Sequence, residues 1–201
     1  MNIAVYLILS YFVGNINPAY IISKINGFDI RKKGTGNAGA SNIAVEFGKT
    51  AGVFTALFDI FKAFTVTIIA IKIYPDIHIA GIMAGCACIM GHIFPVLMGF
   101  KGGKGLASLG GMILAYNPLI FLILITIELV TIVFTNYISL VAPTGSVLFT
   151  ITYAVIDSDI KGIIILSVLT VIVLIKHIPN YKRIAAGTEN KISILWKKDK
   201  K

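Results

Sequence analysis

The chain has 201 residues, of which 57% are hydrophobic and only 13% are charged. Its mean hydropathy is +0.89. Because a soluble domain carries about a quarter charged residues, this composition excludes a soluble globular protein and predicts a membrane protein. The net charge is +9, but the basic residues lie between and after apolar segments, which fits membrane topology better than nucleic-acid binding.

Seven apolar segments predict an all-α, polytopic integral membrane protein whose single domain covers residues 1–201. A helix needs about 20 mostly apolar residues to cross a bilayer. Six segments reach or approach that length: residues 3–25, 52–74, 78–98, 118–135, 138–156 and 160–176. The seventh, residues 105–116, would rise only about 18 Å, so it is expected to be a short or broken helix whose ends meet protein or water.

Polar residues interrupt the first two predicted spans. Asn15, Asn17 and Pro18 divide the first span, which is therefore expected to face protein or water partway along. Asp59 and Lys62 lie three positions apart in the second span, on one helix face. An ion pair between them would lower the cost of burying both charges.

The basic residues predict how the chain is oriented. Fifteen of the 18 lysines and arginines fall in residues 24–49, 101–104 and 176–201, which seven crossings would place on one side. The positive-inside rule assigns that side and the C-terminus to the cytoplasm and puts the N-terminus outside. Residues 196–201, a tryptophan followed by a lysine-rich run, are expected to touch anionic lipid.

The first basic segment contains the run Gly34-Thr-Gly-Asn-Ala-Gly-Ala-Ser-Asn42. It includes a G-x-G-x-x-G pattern, but a dinucleotide fingerprint needs a βαβ unit, which this sequence does not predict. Glycines let backbone N–H groups approach an anion closely. The side chains that add neutral hydrogen-bond donors are Thr35, Asn37, Ser41 and Asn42. The segment is therefore either a phosphate-binding loop or a solvated, flexible loop.

The second segment places two lysines before the short apolar segment, in the run Lys101-Gly-Gly-Lys-Gly105. It is not a Walker A motif, because Met98 and Gly105 stand where that motif needs glycine and a hydroxyl residue. A helix N-terminus presents free N–H groups and a partial positive charge. The candidates for phosphate binding are therefore Lys104 and the N–H groups of Gly102, Gly103 and Gly105. The alternative is a lysine pair that only sets topology.

The third segment follows the predicted last span and begins with His177 and Asn180. His177 is a candidate for substrate positioning or base catalysis, although an interfacial histidine is more often structural. Arg183 and Glu189 are expected to pair with each other or with the other segments. Together the three segments supply cations, amides and hydroxyls with few carboxylates, which suits a phosphate-bearing ligand.

The three segments together resemble the bacterial membrane acyl-phosphate:glycerol-3-phosphate acyltransferase family. That family's motifs look like G-S-G-N-x-G-A-T-N, G-H-x-F-P-x-x-x-x-F-K-G-G-K-G-x-A-T and H-x-x-N-x-x-R-x-x-x-G-x-E. Here they stand in the same order as residues 34–42, as Gly91-His-Ile-Phe-Pro-Val-Leu-Met-Gly-Phe-Lys-Gly-Gly-Lys-Gly-Leu-Ala-Ser108, and as His177-Ile-Pro-Asn-Tyr-Lys-Arg-Ile-Ala-Ala-Gly-Thr-Glu189. The length and the seven segments are also similar to the family's architecture.

The resemblance implies acyl transfer from acyl phosphate to the 1-hydroxyl of glycerol 3-phosphate, giving lysophosphatidic acid and phosphate in phospholipid synthesis. It implies these two substrates and membrane lipids as partners, no nucleic acid, no cofactor and no metal. The site would face the cytoplasm at the bacterial plasma membrane. Together with the residue chemistry, it assigns catalytic roles to Lys104, His177, Asn180 and Thr35. It assigns substrate or phosphate binding to Asn37, Ser41, Asn42, Gly102, Gly103, Gly105, Arg183 and Glu189.

One position departs seriously from the family pattern. The family usually has arginine a few residues past the first motif, whereas this chain reads Ser41-Asn-Ile-Ala-Val45. A charge-assisted contact is worth roughly 1.5–3 kcal/mol, so its loss would matter. Either Lys49 substitutes for the arginine, or the chain is a paralogue with weaker or altered substrate use.

Two other functions stay open at this point. Broken helices, a polar first span and the Asp59–Lys62 pair are features of transporters, so the main alternative is a transporter or channel for a phosphate-bearing solute. The clustering of polar groups at one face and the lack of an inverted repeat count against it. The second alternative is a non-catalytic lipid-binding membrane protein, which Val45 would favour.

Overall fold

The computed structural model describes residues 1–192, so the lipid contact predicted for residues 196–201 lies outside the described residues. All regular structure in this part of the chain is helical, as the sequence predicts. The α-helices are α1 (Ile3–Asn15), α2 (Pro18–Ile25), α3 (Ala40–Phe47), α4 (Lys49–Ile73), α5 (Ala80–Ile93), α6 (Leu106–Tyr116), α7 (Pro118–Thr135), α8 (Val141–Ile156) and α9 (Ile160–Ala185). Single 3-10 turns at Ile30–Lys32, Val96–Met98 and Ile138–Leu140 connect some of them.

Five helical segments within residues 1–192 are long and apolar enough to cross a membrane. They are Lys49–Ile73, Ala80–Met98, Pro118–Thr135, Ile138–Ile156 and Ile160–Ala185. The pair α1 and α2 makes a sixth if it counts as one span. Helix α6 is the short apolar helix that the sequence predicts. The count of seven crossings stays a prediction, because α6 is too short to span a bilayer by itself.

The first span is broken where its polar residues predict a break. Helices α1 and α2 meet at an angle of 43°. Pro18 occupies the first position of α2, and the Asn17 side chain accepts a hydrogen bond from the Tyr20 N–H at 2.9 Å, which caps that helix. The Asn17 amide also donates to the Ala38 carbonyl at 2.8 Å. The break therefore ties the first span to the first glycine-bearing segment.

Helix α9 extends beyond the predicted end of the last span. The sequence places that end at Lys176 with His177 at its mouth, but the helix continues to Ala185. Pro179 lies inside it. A proline removes only one backbone hydrogen bond of a helix, so the surrounding turns can continue past it. His177, Asn180 and Arg183 are thus held on one rigid helix rather than on a tail.

Glycines allow the helices to approach each other closely. A Cβ atom at Gly14 of α1 would lie 2.0 Å from the Cys88 carbonyl oxygen, and one at Gly91 of α5 would lie 2.0 Å from the Tyr11 carbonyl oxygen. Gly111 of α6 meets Ile60 of α4 in the same way, at 2.1 Å. Small residues at helix interfaces are how membrane helices gain packing contact without a hydrophobic driving force. These contacts bring α1, α5, α4 and α6 together at the site described below.

Candidate active site

One cavity at an end of the helix bundle collects residues from all three basic segments. Its volume is about 1050 Å³ when the solvent at its mouth is counted. Nine of the residues singled out from the sequence line it: Thr35, Asn37, Ser41, Asn42, Lys104, Gly105, His177, Asn180 and Glu189. Gly102, Gly103 and Arg183 are not among its lining residues. Val45 also lines the cavity and is 42% exposed.

Asn42 organises the loop of the first segment. Its buried side-chain amide lies within 3.1 Å of the carbonyl oxygens of Ile30, Lys33 and Asn37, and its Oδ1 accepts from the Thr35 N–H at 2.9 Å. The hydrogen-bonding groups of Asn42 are therefore engaged with the loop backbone. That leaves the hydroxyls of the loop to face the cavity, so Asn42 shapes the site more than it contacts a ligand.

The backbone hydrogen bonds of the second segment differ from the sequence prediction. The N–H groups of Gly102 and Gly103 were expected to bind phosphate, but they donate to the carbonyls of Ile93 and His92 at 3.2 and 3.0 Å. These bonds fold the loop back onto the end of α5, where a side chain would not fit. Gly105 precedes α6 with φ +86°, a left-handed conformation that favours glycine. The segment thus presents Lys104 and the start of α6, and not its first two glycines, to the cavity.

Lys104 heads a chain of polar contacts that joins the second and third segments. Its ammonium donates to Asn180 Oδ1. The Asn180 amide donates to Glu189 Oε1 at 2.6 Å, and Arg183 Nε donates to Glu189 Oε2 at 2.6 Å. The pairing of Arg183 with Glu189 is the one that the sequence predicts. Each member fixes the orientation of the next, so the Lys104 ammonium is held in place.

Burial and neighbouring charges shift the pKa values along this chain. Burial first, and then the charge of Arg183, lower the pKa of Lys104 to about 8; Glu189 opposes this shift, and Lys176 adds a smaller lowering effect. For Glu189, burial raises the pKa, but the hydrogen bonds from Asn180 and Arg183 outweigh it and lower the pKa below its ordinary value. Near neutral pH the site therefore holds a cationic Lys104 that becomes neutral as the pH rises through about 8.

His177 is buried in the cavity wall with a defined tautomer. Its Nδ1 lies 2.8 Å from the Val173 carbonyl oxygen in the preceding turn of α9. A carbonyl can only accept, so we assign the proton to Nδ1, and Nε2 keeps a lone pair. A neutral histidine of this kind accepts a hydrogen bond from a substrate hydroxyl through Nε2.

A buried charged cluster adjoins the cavity, and two of its members, Asp59 and His92, line it. The Lys62 ammonium lies 2.6 Å from Asp59 Oδ1 and 3.1 Å from His92 Nδ1, and their side chains are at most 4% exposed. Lys62 also donates to the carbonyls of Gly14 and Ile16 at 3.1 and 2.8 Å, at the break between α1 and α2. The predicted Asp59–Lys62 ion pair is thus confirmed. It joins three helices and holds the His92 ring against Gly103.

Several residues that line the cavity were not predicted from the sequence. His92 lies in the second motif but was given no role, and Asp59 was read only as part of an ion pair. Ser139 and Lys191 also line the cavity, and no motif signals either of them. Lys49, the expected substitute for a cation at position 45, is not among the lining residues.

Comparisons with known proteins show which family this chain is similar to. A family model described as "Glycerol-3-phosphate acyltransferase" matches residues 4–187. A glycerol-3-phosphate acyltransferase of Macrococcus caseolyticus is 40% identical over 96% of this chain and 98% of its own length. The Bacillus subtilis relative with that name is 35% identical over 97% of this chain and 100% of its own length.

Solved structures of PlsY, an integral membrane glycerol 3-phosphate acyltransferase, have a similar fold. The glycerol 3-phosphate form has a TM-score of 0.89 and 28% identity, covering 97% of this chain and 99% of that one. The lysophosphatidic acid form has a TM-score of 0.85 over the same shares of both chains.

Proposed function

This chain belongs to the glycerol-3-phosphate acyltransferase family, and from that premise we propose that it transfers an acyl group from acyl phosphate to the 1-hydroxyl of glycerol 3-phosphate. The family makes it a membrane acyltransferase of phospholipid biosynthesis. The observation that best supports the proposed reaction is a cavity in which Lys104, Asn180 and His177 meet the hydroxyls of the first segment. The related PlsY was solved with glycerol 3-phosphate and with lysophosphatidic acid, which supports these as substrate and product here.

The proposed reaction needs no covalent enzyme intermediate, because an acyl phosphate is already activated. The hydroxyl oxygen of glycerol 3-phosphate forms a bond to the acyl carbon, and the bond from that carbon to the phosphate oxygen breaks. The leaving phosphate takes up the hydroxyl proton, so atoms and charge balance. The protein then has to place two substrates and stabilise the negative charge that develops.

In the proposed mechanism, different residues of the cavity place the substrates and stabilise the negative charge. Lys104, fixed by Asn180, binds phosphate and stabilises developing negative charge. His177 Nε2 accepts a hydrogen bond from the attacking hydroxyl and orients it. Thr35 and Ser41 donate hydrogen bonds to phosphate oxygens at the mouth of the cavity. The distribution of basic residues supports a cytoplasmic position for this end of the bundle and an outside N-terminus.

The transporter alternative loses one of its three supports. It depended partly on the Asp59–Lys62 ion pair, taken as part of a solute path through the membrane. Lys62 is instead surrounded by the Gly14 and Ile16 carbonyls, Asp59 and His92, all within bonding distance. This arrangement supports a structural role for the pair, and membership of an enzyme family favours catalysis.

The direct test is product formation by purified protein in detergent or liposomes. Acyl phosphate and radiolabelled glycerol 3-phosphate should give labelled lysophosphatidic acid, whereas acyl coenzyme A in place of acyl phosphate should not. In a parallel measurement, liposomes loaded with labelled glycerol 3-phosphate report whether the label crosses the membrane. Flux of the label without acylated product would support the transporter and sink the proposed reaction.

We also predict that the loop of the second segment tolerates no side chain at Gly102. A Cβ atom there would lie 2.1 Å from the His92 carbonyl oxygen, a backbone atom that cannot turn away. Gly102→Ala should displace Lys104 and lower kcat/KM by about 10²-fold, the usual effect of a misplacement near 1 Å. Gly110→Ala is the matched control, since its nearest neighbour would be Phe121 Cε2 at 3.6 Å. Equal activities of the two variants in the lysophosphatidic acid assay would refute this role of the loop.

A further inference from the structure

Two lysines line the cavity, and only one has a role so far. If the proposed function holds, the cavity must receive two phosphate groups, one on each substrate. Among the residues of 1–192 that line it, the lysines and arginines are Lys104 and Lys191. A single ammonium cannot neutralise two phosphates, so a second cation is needed at the same site.

The carboxylates in the wall do not neutralise Lys191. Asp59 is paired with Lys62 at 2.6 Å. Glu189 is paired with Arg183, also at 2.6 Å, and its other oxygen accepts from Asn180. Within the described part of the chain, Lys191 itself forms no ion pair. Its charge is therefore available to an anion that enters the cavity.

The backbone on both sides of Lys191 is fixed against the bundle. Before it, the Glu189 N–H donates to the Arg183 carbonyl at 3.2 Å, at the end of α9. After it, the Ile192 N–H donates to the Asn136 carbonyl at 2.9 Å, in the turn that follows α7. These two bonds hold Lys191 at the rim, where its side chain is exposed and remains hydrated. Its ammonium can contact a phosphate without the prior desolvation cost that a buried lysine has.

Lys104 is poorly placed to serve both phosphates. It lies deeper than Lys191, and one of its three N–H groups is already donated to Asn180. Val45 also lines the cavity, is exposed, and offers no charge. A second phosphate in the cavity would therefore meet Lys191 as its cation.

We propose that Lys191 binds the second substrate phosphate, supplying from the end of the third segment the cation that is missing at position 45. This inference rests on the proposed function and adds a residue to its site. The chemistry recognised is a phosphate monoester or an acyl phosphate group. The kinetics of the two substrates distinguish which of them Lys191 binds.

The experiment compares the Michaelis constants of both substrates in charge-changing variants. Lys191→Met should raise KM for one substrate by about 10- to 100-fold, which is the loss of affinity expected when a charge-assisted contact is removed. The change in kcat should be smaller. Lys191→Arg should stay within about threefold of the unmodified protein, because it keeps the charge. Val45→Arg added to Lys191→Met should recover most of the lost affinity. Lys32→Met, an exposed lysine that does not line the cavity, is the control.

The outcomes separate this inference from the function on which it rests. Absence of lysophosphatidic acid formation by the unmodified protein would overturn both. An active protein in which Lys191→Met leaves both KM values unchanged would overturn the inference alone. The same holds if Lys191→Arg is as weak as Lys191→Met, or if Val45→Arg gives no rescue. Thermal unfolding of each variant confirms that the compared proteins are folded.

Discussion

Lys104→Met is expected to lower kcat/KM for lysophosphatidic acid formation by about 10²- to 10³-fold, as the loss of one fixed group that stabilises developing charge does in other enzymes. Methionine keeps the length and most of the packing of the side chain but removes the ammonium that contacts Asn180. Because the ammonium acts on phosphate both in binding and in the transition state, KM should rise and kcat should fall. Single-turnover acyl transfer measures the chemical step without product release.

The same lysine predicts a particular dependence on pH. Since its pKa is lowered to about 8, the cation is present below that pH and is lost as the pH rises through it. The kcat/KM of the unmodified protein should therefore fall above pH 8, because kcat/KM reports the groups of the free enzyme. Lys104→Arg should retain activity at higher pH, since guanidinium stays charged. A profile that is flat to pH 10 in the unmodified protein would contradict the assignment, as would near-native activity of Lys104→Met.

Lys62→Met should destabilise the protein more than any other single change considered. It would leave Asp59 as a buried carboxylate without its partner, and removing one member of a buried ion pair typically costs about 3–5 kcal/mol. It would also leave the carbonyls of Gly14 and Ile16 without their donor at the break of the first span. The thermal midpoint should fall clearly, and activity with it, because His92 loses a neighbour that holds it against the loop.

Unfolding can be followed with a thiol-reactive dye, because both cysteines, Cys86 and Cys88, are buried and unpaired. Lys72→Met in the same helix is the matched control, since that lysine is exposed near the end of α4. The double variant Asp59→Asn with Lys62→Met should be more stable than Lys62→Met alone, as it removes the unpaired charge. Equal midpoints for Lys62→Met and Lys72→Met would show that the cluster is not a structural support.

Local patterns in the sequence predicted much of the architecture. Apolar segment length and proline position indicate where helices begin and end, and here they gave the bounds Pro118–Thr135 and the short helix before it. Spacing on one helix face predicted the Asp59–Lys62 pair. The bend of the first span followed from its polar residues and proline. These features depend on neighbours within one or two turns, so composition and periodicity are sufficient to predict them.

For the site, the sequence predicted which residues take part, and the tertiary structure showed which of their groups are free. The motifs named nine residues that the structure brings into one cavity, because residue chemistry and the family resemblance both act on short runs. Sequence could not show that Asn42 is engaged by its own loop, or that Gly102 and Gly103 bond back to α5. Whether a donor is free or already bonded depends on which backbone atoms fold over it, and that is a property of the packed structure.

The charges show most clearly what only the tertiary structure decided. The sequence determined that the chain is a helical membrane protein with basic, glycine-bearing segments suited to phosphate. Its motifs singled out Lys104, but they did not show that Lys191 lines the same cavity, because Lys191 lies outside every motif. The packing of helices far apart in the chain put Lys62 against Gly14 and His92, and the segment after α9 put Lys191 in the lining of the same cavity as Val45. The role of each charge follows from the groups that surround it, and residues distant in sequence supply those groups.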